Sequence, residues 1–166
     1  MSDSVLACLP RSRKLYLDAV AVLDVEHRER YRPRDVTGDG KAETFCNLFL
    51  SDCTALLECP IPFVLANFQV GWLSGPLGLA AGWLELRPLP NATVEAQAIA
   101  RAELGLPTVA VWANSTGAHG HAGVVVPAEP PMTGVVHIAA AGARNFQNAP
   151  IQRSFGVLHP RYFTHA

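Results

Sequence analysis

A change of period at Gly105-Leu106-Pro107 constrains this chain most. Before it, apolar residues recur at helical spacing. After it, the chain breaks into short β-branched runs: TVAVWA (108–113), AGVVVP (122–127) and GVVHIA (134–139), parted by Gly, Asn, Ser and Pro. FGVLHPRYFTH adds a further strand candidate, broken at Pro160. Upstream, KLYLDAVAVLDVEHRER (14–30) predicts a helix that stops before Pro33. Phe45, Leu48, Phe49, Cys53, Leu56 and Leu57 predict a second, capped by Thr44 and ended before Pro60. Asn91 caps a third through EAQAIARAEL, which Gly105 and Pro107 terminate. Residues 61–91, rich in Gly and Pro, read as short pieces joined by turns. Helices first and strands afterwards indicate an α+β domain with an antiparallel sheet. No repeat or linker divides the 166 residues, so residues 1–166 are expected to form a single domain.

Several function classes are disfavoured at once. A charged fraction of 16% against 49% hydrophobic residues suits a packed domain, not a disordered one. A formal charge of −1 gives no general electrostatic reason to bind nucleic acid or an anionic membrane. MSDSVLACLP lacks the basic and long apolar regions of a secretory signal, and no apolar stretch approaches the ~20 residues that span a bilayer. The expectation is a soluble protein made in the cytoplasm without a cleaved signal. Four cysteines are too sparse for a disulfide scaffold, and Cys8, Cys46, Cys53 and Cys59 form no CxxC pair. Cys53 and Cys59 read as small buried hydrophobes.

Cys46 is different. In the first turn of its helix it meets unpaired backbone N–H groups and the positive end of the helix dipole. Both favour a thiolate and could hold an oxyanion. A nucleophilic cysteine wants an imidazole beside it. Of six histidines, His121 opens the run AGVVV, and His137 lies between Val136 and Ile138 inside the next one. If those strands pair, the two rings could share a face, with His137 orienting His121. His137 reads equally as a core histidine bonded to backbone.

The succession GDGKAETFCNLFLSDCTALL, GLPTVAVWAN, GHGHAGVVVP and HIAAAGARNF resembles the CHAP and NlpC-type cysteine peptidoglycan hydrolases over roughly residues 35–147. That resemblance implies a papain-like fold, with the nucleophile heading a helix packed on an antiparallel sheet. It carries over Cys46 as nucleophile and His121, in Gly120-His121-Ala122-Gly123-Val124, as base. His137 is its third member, with Asn145 in reserve. Trp112 and Asn47 would line the substrate cleft, with specificity from the Trp72–Trp83 region and the loops around Ser115 and Asn148. The implied activity is a cell-wall amidase or endopeptidase working through a thioester. Its substrate would be bacterial peptidoglycan, reached as a phage-type lysin or an injected antibacterial effector. The enzyme would be a monomer needing no cofactor, and an effector would have an immunity protein as partner. A papain-like acyltransferase or deamidase on a non-wall amide, and a noncatalytic calcium- or wall-binding module, are the rival readings.

DVTGDGKAE also has the alternation of a calcium loop, with Asp35, Thr37 and Asp39 in ligand positions, Gly40 at the turn and Glu43 further on. The twelfth position holds Cys46 where a bidentate Glu belongs. A structural Ca²⁺ and an Asx-rich turn shaping the entry to the Cys46 helix both fit these residues.

Overall fold

The computed structural model describes residues 11–117, 119–130 and 134–165, so Cys8 lies outside the described residues. It is an α+β arrangement: helices accompany one six-stranded, wholly antiparallel sheet of order β1-β6-β2-β3-β4-β5. The strands are β1 (Trp83–Glu85), β2 (Thr108–Trp112), β3 (His121–Val126), β4 (His137–Ala140), β5 (Phe146–Pro150) and β6 (Arg161–His165). Val109–Val111, Ala122–Val126 and His137–Ala140 are buried at every residue, so the central strands are covered on both faces. This explains their continuous apolar runs, where a half-exposed strand would alternate. No helix among the described residues is long and apolar enough to cross a membrane.

Helix α1 (Arg13–Leu23) starts at Ser12, whose Oγ accepts from the Leu15 amide at 3.2 Å. It buries Tyr16, Val20 and Leu23 on one face. The helix anticipated to run to residue 30 therefore ends at Leu23. Val25 is fully buried, yet helical geometry would point it away from the Tyr16–Val20 face. Asp24 enters the left-handed region (φ 43°) and turns Val25 inward.

Helix α2 (Cys46–Leu56) begins one residue later than anticipated, with Phe45 and not Thr44 at the cap and no side chain capping it. It packs on β3 and β4. At its far end the Thr54 hydroxyl donates to the Leu50 carbonyl and accepts from the Ile61 amide, drawing the chain back after Pro60. Arg30 and the Tyr31 hydroxyl both bond Asp52, fixing the 29–31 turn to the outer face of α2. Next come α3 (Ala66–Ser74), α4 (Pro76–Ala80), α5 (Val94–Glu103) and, after β5, the short α6 (Gln152–Phe155). Thr93, not Asn91, caps α5, its Oγ1 accepting from the Ala96 amide. Gly105 (φ +76°) ends that helix against Ser12, where a Cβ would strike backbone at 2.2 Å.

Candidate active site

Cys46 is the first helical residue of α2 and only 4% exposed. The backbone amides of Ala122, Asn47 and Cys46 itself favour its thiolate form, and α2 packs on β3. The Ala122 amide belongs to the peptide bond that follows His121. The fold therefore brings the head of α2 against the first residues of β3, the segment that carries His121. Pairing of β3 with β4 spans only Val124–Val126, leaving residues 121–123 outside that ladder's register.

Burial decides the charge state of both groups. It pushes the Cys46 thiol above its ordinary value, although the three amides pull the other way. It lowers the His121 imidazole to about 4. The anionic sulfur expected from a helix start is thus replaced by a neutral thiol, and the His121 ring is neutral as well. A helix terminus contributes ~0.3–1 kcal/mol, whereas full burial shifts an ionisable group by as much as 3–5 pKa units.

His121 Nε2 and the Ser154 hydroxyl are 2.7 Å apart, and the ring rests against Phe155 with centroids 4.5 Å apart. Both residues come from α6. Trp112 is the cross-strand partner of His121 on β2 and half-buried, so it flanks the imidazole on the same face. Gly142 supplies the floor: a Cβ there would lie 3.4 Å from the ring.

The imidazole pair does not form. Val126 is the partner of His137 and lies five positions after His121 on β3, an odd step. Side chains alternate along a strand, so His137 points to the opposite face, roughly 17 Å further along at ~3.4 Å per residue. There His137 Nδ1 meets Asn148 Oδ1 at 2.6 Å, and Asn148 Nδ2 donates to the Pro127 carbonyl. Asn148 is thereby removed from the neighbourhood of Cys46. Asn145 is also structural: its Nδ2 donates to the Val25 and Tyr31 carbonyls, and its Oδ1 accepts from the Gly142 amide. Ser154, and neither His137 nor Asn145, meets His121 Nε2. Nothing in IQRSFG signals it, because α6 reaches the ring only once β5 has carried the chain back along the sheet edge.

One wall is built by residues 62–69. Asn47 Nδ2 donates to the Val64 carbonyl, and Gln69 Nε2 donates to the carbonyls of Asn47 and Pro62 and to Ser51 Oγ. Asn67 Oδ1 accepts from the Asn114 amide, and its Nδ2 donates to the carbonyls of Asn114 and Gly117. A Cβ on Gly120 would lie 2.5 Å from Asn67 Oδ1, so this glycine permits the approach of α3 to the residue before His121. Asn47 is therefore a brace for the wall. Trp83 is buried in the core and borders a cleft that neither Cys46 nor His121 lines.

The acidic loop leads into α2. Arg34 and Glu43 pair as an antiparallel bridge, and the Arg34 guanidinium lies 4.1 Å over the Phe45 ring. Asp35 accepts from the Gly38 and Gly40 amides, glycines held at φ +78° and +80°. Glu43 accepts from the Val36 amide and the Thr37 hydroxyl. Carboxylate oxygens of Asp35, Asp39 and Glu43 come within 4.8 Å of one another, the separation a cation would need. Asp35 and Glu43 are already engaged in closing the turn, with Glu43 held below the usual carboxylate range by the Val36 amide.

Cys53 and Cys59 are buried free thiols, and burial pushes Cys59 up to about 12. Two clefts open elsewhere, one of about 570 Å³ between α1 and Asn148 and one of about 270 Å³ beside Leu73, Trp83 and Phe163. Neither is lined by Cys46 or His121. No family model and no curated protein matches this chain.

Proposed function

We propose that Cys46 and His121 are the nucleophile and base of a papain-like cysteine hydrolase that cleaves an amide bond by acyl transfer. The observation that carries this reading is the packing of α2, which starts at Cys46, on β3, which starts at His121, with the Ala122 amide acting on the Cys46 thiol and His121 Nε2 2.7 Å from Ser154 Oγ. With Nε2–H donating to Ser154 Oγ, Nδ1 keeps its lone pair and acts as the base.

The sulfur attacks the substrate carbonyl as its proton passes to Nδ1, forming the S–C bond and an oxyanion. Amide N–H groups at the head of α2 donate to that oxyanion. As the C–N bond breaks, the departing nitrogen takes the proton from Nδ1. Water then loses a proton to Nδ1 and hydrolyses the thioester, restoring the thiol and releasing a carboxylic acid. Ser154 positions the ring throughout.

The resemblance of TFCN and GHAGVVV to the CHAP and NlpC-type enzymes makes a peptide amide of bacterial peptidoglycan the first substrate to test. Purified peptidoglycan is incubated with the wild-type protein, Cys46→Ala and His121→Ala, and the fragments are identified by mass spectrometry. Release of new amine and carboxyl termini by the wild type alone supports the reading. Equal release by Cys46→Ala would end it.

A further inference from the structure

We infer that the Cys46–His121 pair acts on a substrate bearing a hydrocarbon chain, which lies along the wall formed by residues 63–68. The inference rests on the nucleophile–base reading above and names the substrate class for that site. Residues 60–84 contain no Asp, Glu, Lys, Arg or His. Within that stretch Phe63 (64%), Leu65 (52%) and Phe68 (67%) stand exposed, as does Val64. Four large apolar side chains in six residues form a patch that a protein surface leaves open where something apolar binds.

Its location ties the patch to the chemistry. One end is fastened to Asn47, the neighbour of Cys46, through the Val64 carbonyl. The other is fastened through Asn67 to Asn114 and Gly117 and presses on Gly120, the neighbour of His121. A chain lying across Phe63, Leu65 and Phe68 thus spans from the nucleophile side to the base side. The wall offers no charged partner to a carboxylate or ammonium group of a substrate. An acyl chain gains from every methylene it covers there.

The test uses two activated esters of one alcohol as probes, p-nitrophenyl acetate and p-nitrophenyl octanoate, both of which acylate a nucleophilic thiol. For the wild type, kcat/KM is expected to favour octanoate by about a hundredfold, the return on a few covered methylenes. Phe63→Ser combined with Phe68→Ser should reduce that preference at least about tenfold. Leu104→Ser, which removes an equally exposed leucine at the end of α5, should leave the preference unchanged. Circular dichroism melts verify that both variants fold. Equal rates on the two esters, or a preference that survives the double substitution, overturn the inference. Cys46→Ala separates the two levels. If it abolishes turnover while the wild type lacks any chain preference, the substrate class falls and the nucleophile stands. If it hydrolyses both esters as the wild type does, both fall.

Discussion

Acidification should destabilise this protein through one residue, and the size follows from its surroundings. His121 titrates near 6.5 when exposed and near 4 in the folded chain, because burial disfavours the imidazolium. Between those two values the unfolded chain holds a proton that the folded chain refuses, so stability rises with pH across that window. It is complete above pH 6.5 and lost as pH falls toward 4. At about 1.4 kcal/mol per tenfold change in affinity, the full gap is worth about 3 kcal/mol. Urea unfolding of the wild type and of His121→Gln at pH 7 and pH 4.5 isolates it. Gln keeps a donor for Ser154 but has nothing to titrate, and the carboxylates common to both proteins cancel. The wild type should lose about 2–3 kcal/mol more than the variant over this interval. Proton NMR of the imidazoles gives the companion measurement. His27, exposed and bonded to Asp24, should titrate above 6.5, while His121 stays unprotonated until near pH 4. Equal losses in the two proteins, or a His121 midpoint near 6.5, would refute the reasoning.

Three further outcomes are expected. Ser154→Ala removes the partner of His121 Nε2 and should lower kcat/KM about tenfold or more, with Ser154→Thr restoring most of it. Iodoacetamide labelling of Cys46, followed by peptide mass spectrometry, should be slow at neutral pH with a midpoint above the ordinary thiol value of 9.0; a plateau below pH 8 would contradict the burial argument. Asp52→Asn breaks the two-point pairing with Arg30 at 2.7 and 3.0 Å, and should cost about 1–2 kcal/mol in urea unfolding.

Fold class was legible because it depends on periodicity. The β-branched runs became β2, β3 and β4, and the helical stretches became α1, α2 and α5. Boundaries shifted where one buried residue overrode local pattern, as Val25 did in ending α1. Strand β5 went unread because FQNAP lacks an apolar pattern; pairing with β4, not propensity, makes it a strand. That omission hid the partner of His121 Nε2. Without β5 there is no α6 beside His121, so Ser154 had no visible reason to matter. His137 was misplaced for a related cause: hairpin register decides which strand residues share a face, and a length of loop does not reveal register. The charge-free stretch 60–84 was open to inspection from the start. The meaning we propose for it needed the hydrogen bond that holds Val64 to Asn47 and the close approach of Asn67 to Gly120.

On the proposed reading two neutral partners define the resting site, and their neutrality has a kinetic signature. Separated charges at this depth would need compensation that neither Ser154 nor the three amides fully supplies, so thiol and imidazole are the ground state. On the proposed mechanism the proton leaves sulfur only as the S–C bond forms and charge moves to the substrate oxygen. Free thiolate is then not the reactive species at neutral pH. The acid limb of kcat/KM reports the free enzyme's base, and should fall near pH 4, far from the usual imidazole value of 6.5. Activity on the acetate ester should therefore stay nearly level from pH 5 to 8, while alkylation of the same sulfur remains slow. An acid limb near 6.5, or rapid alkylation at pH 7, would mean that water reaches the pair and stabilises the ions, and the buried neutral dyad would have to be abandoned.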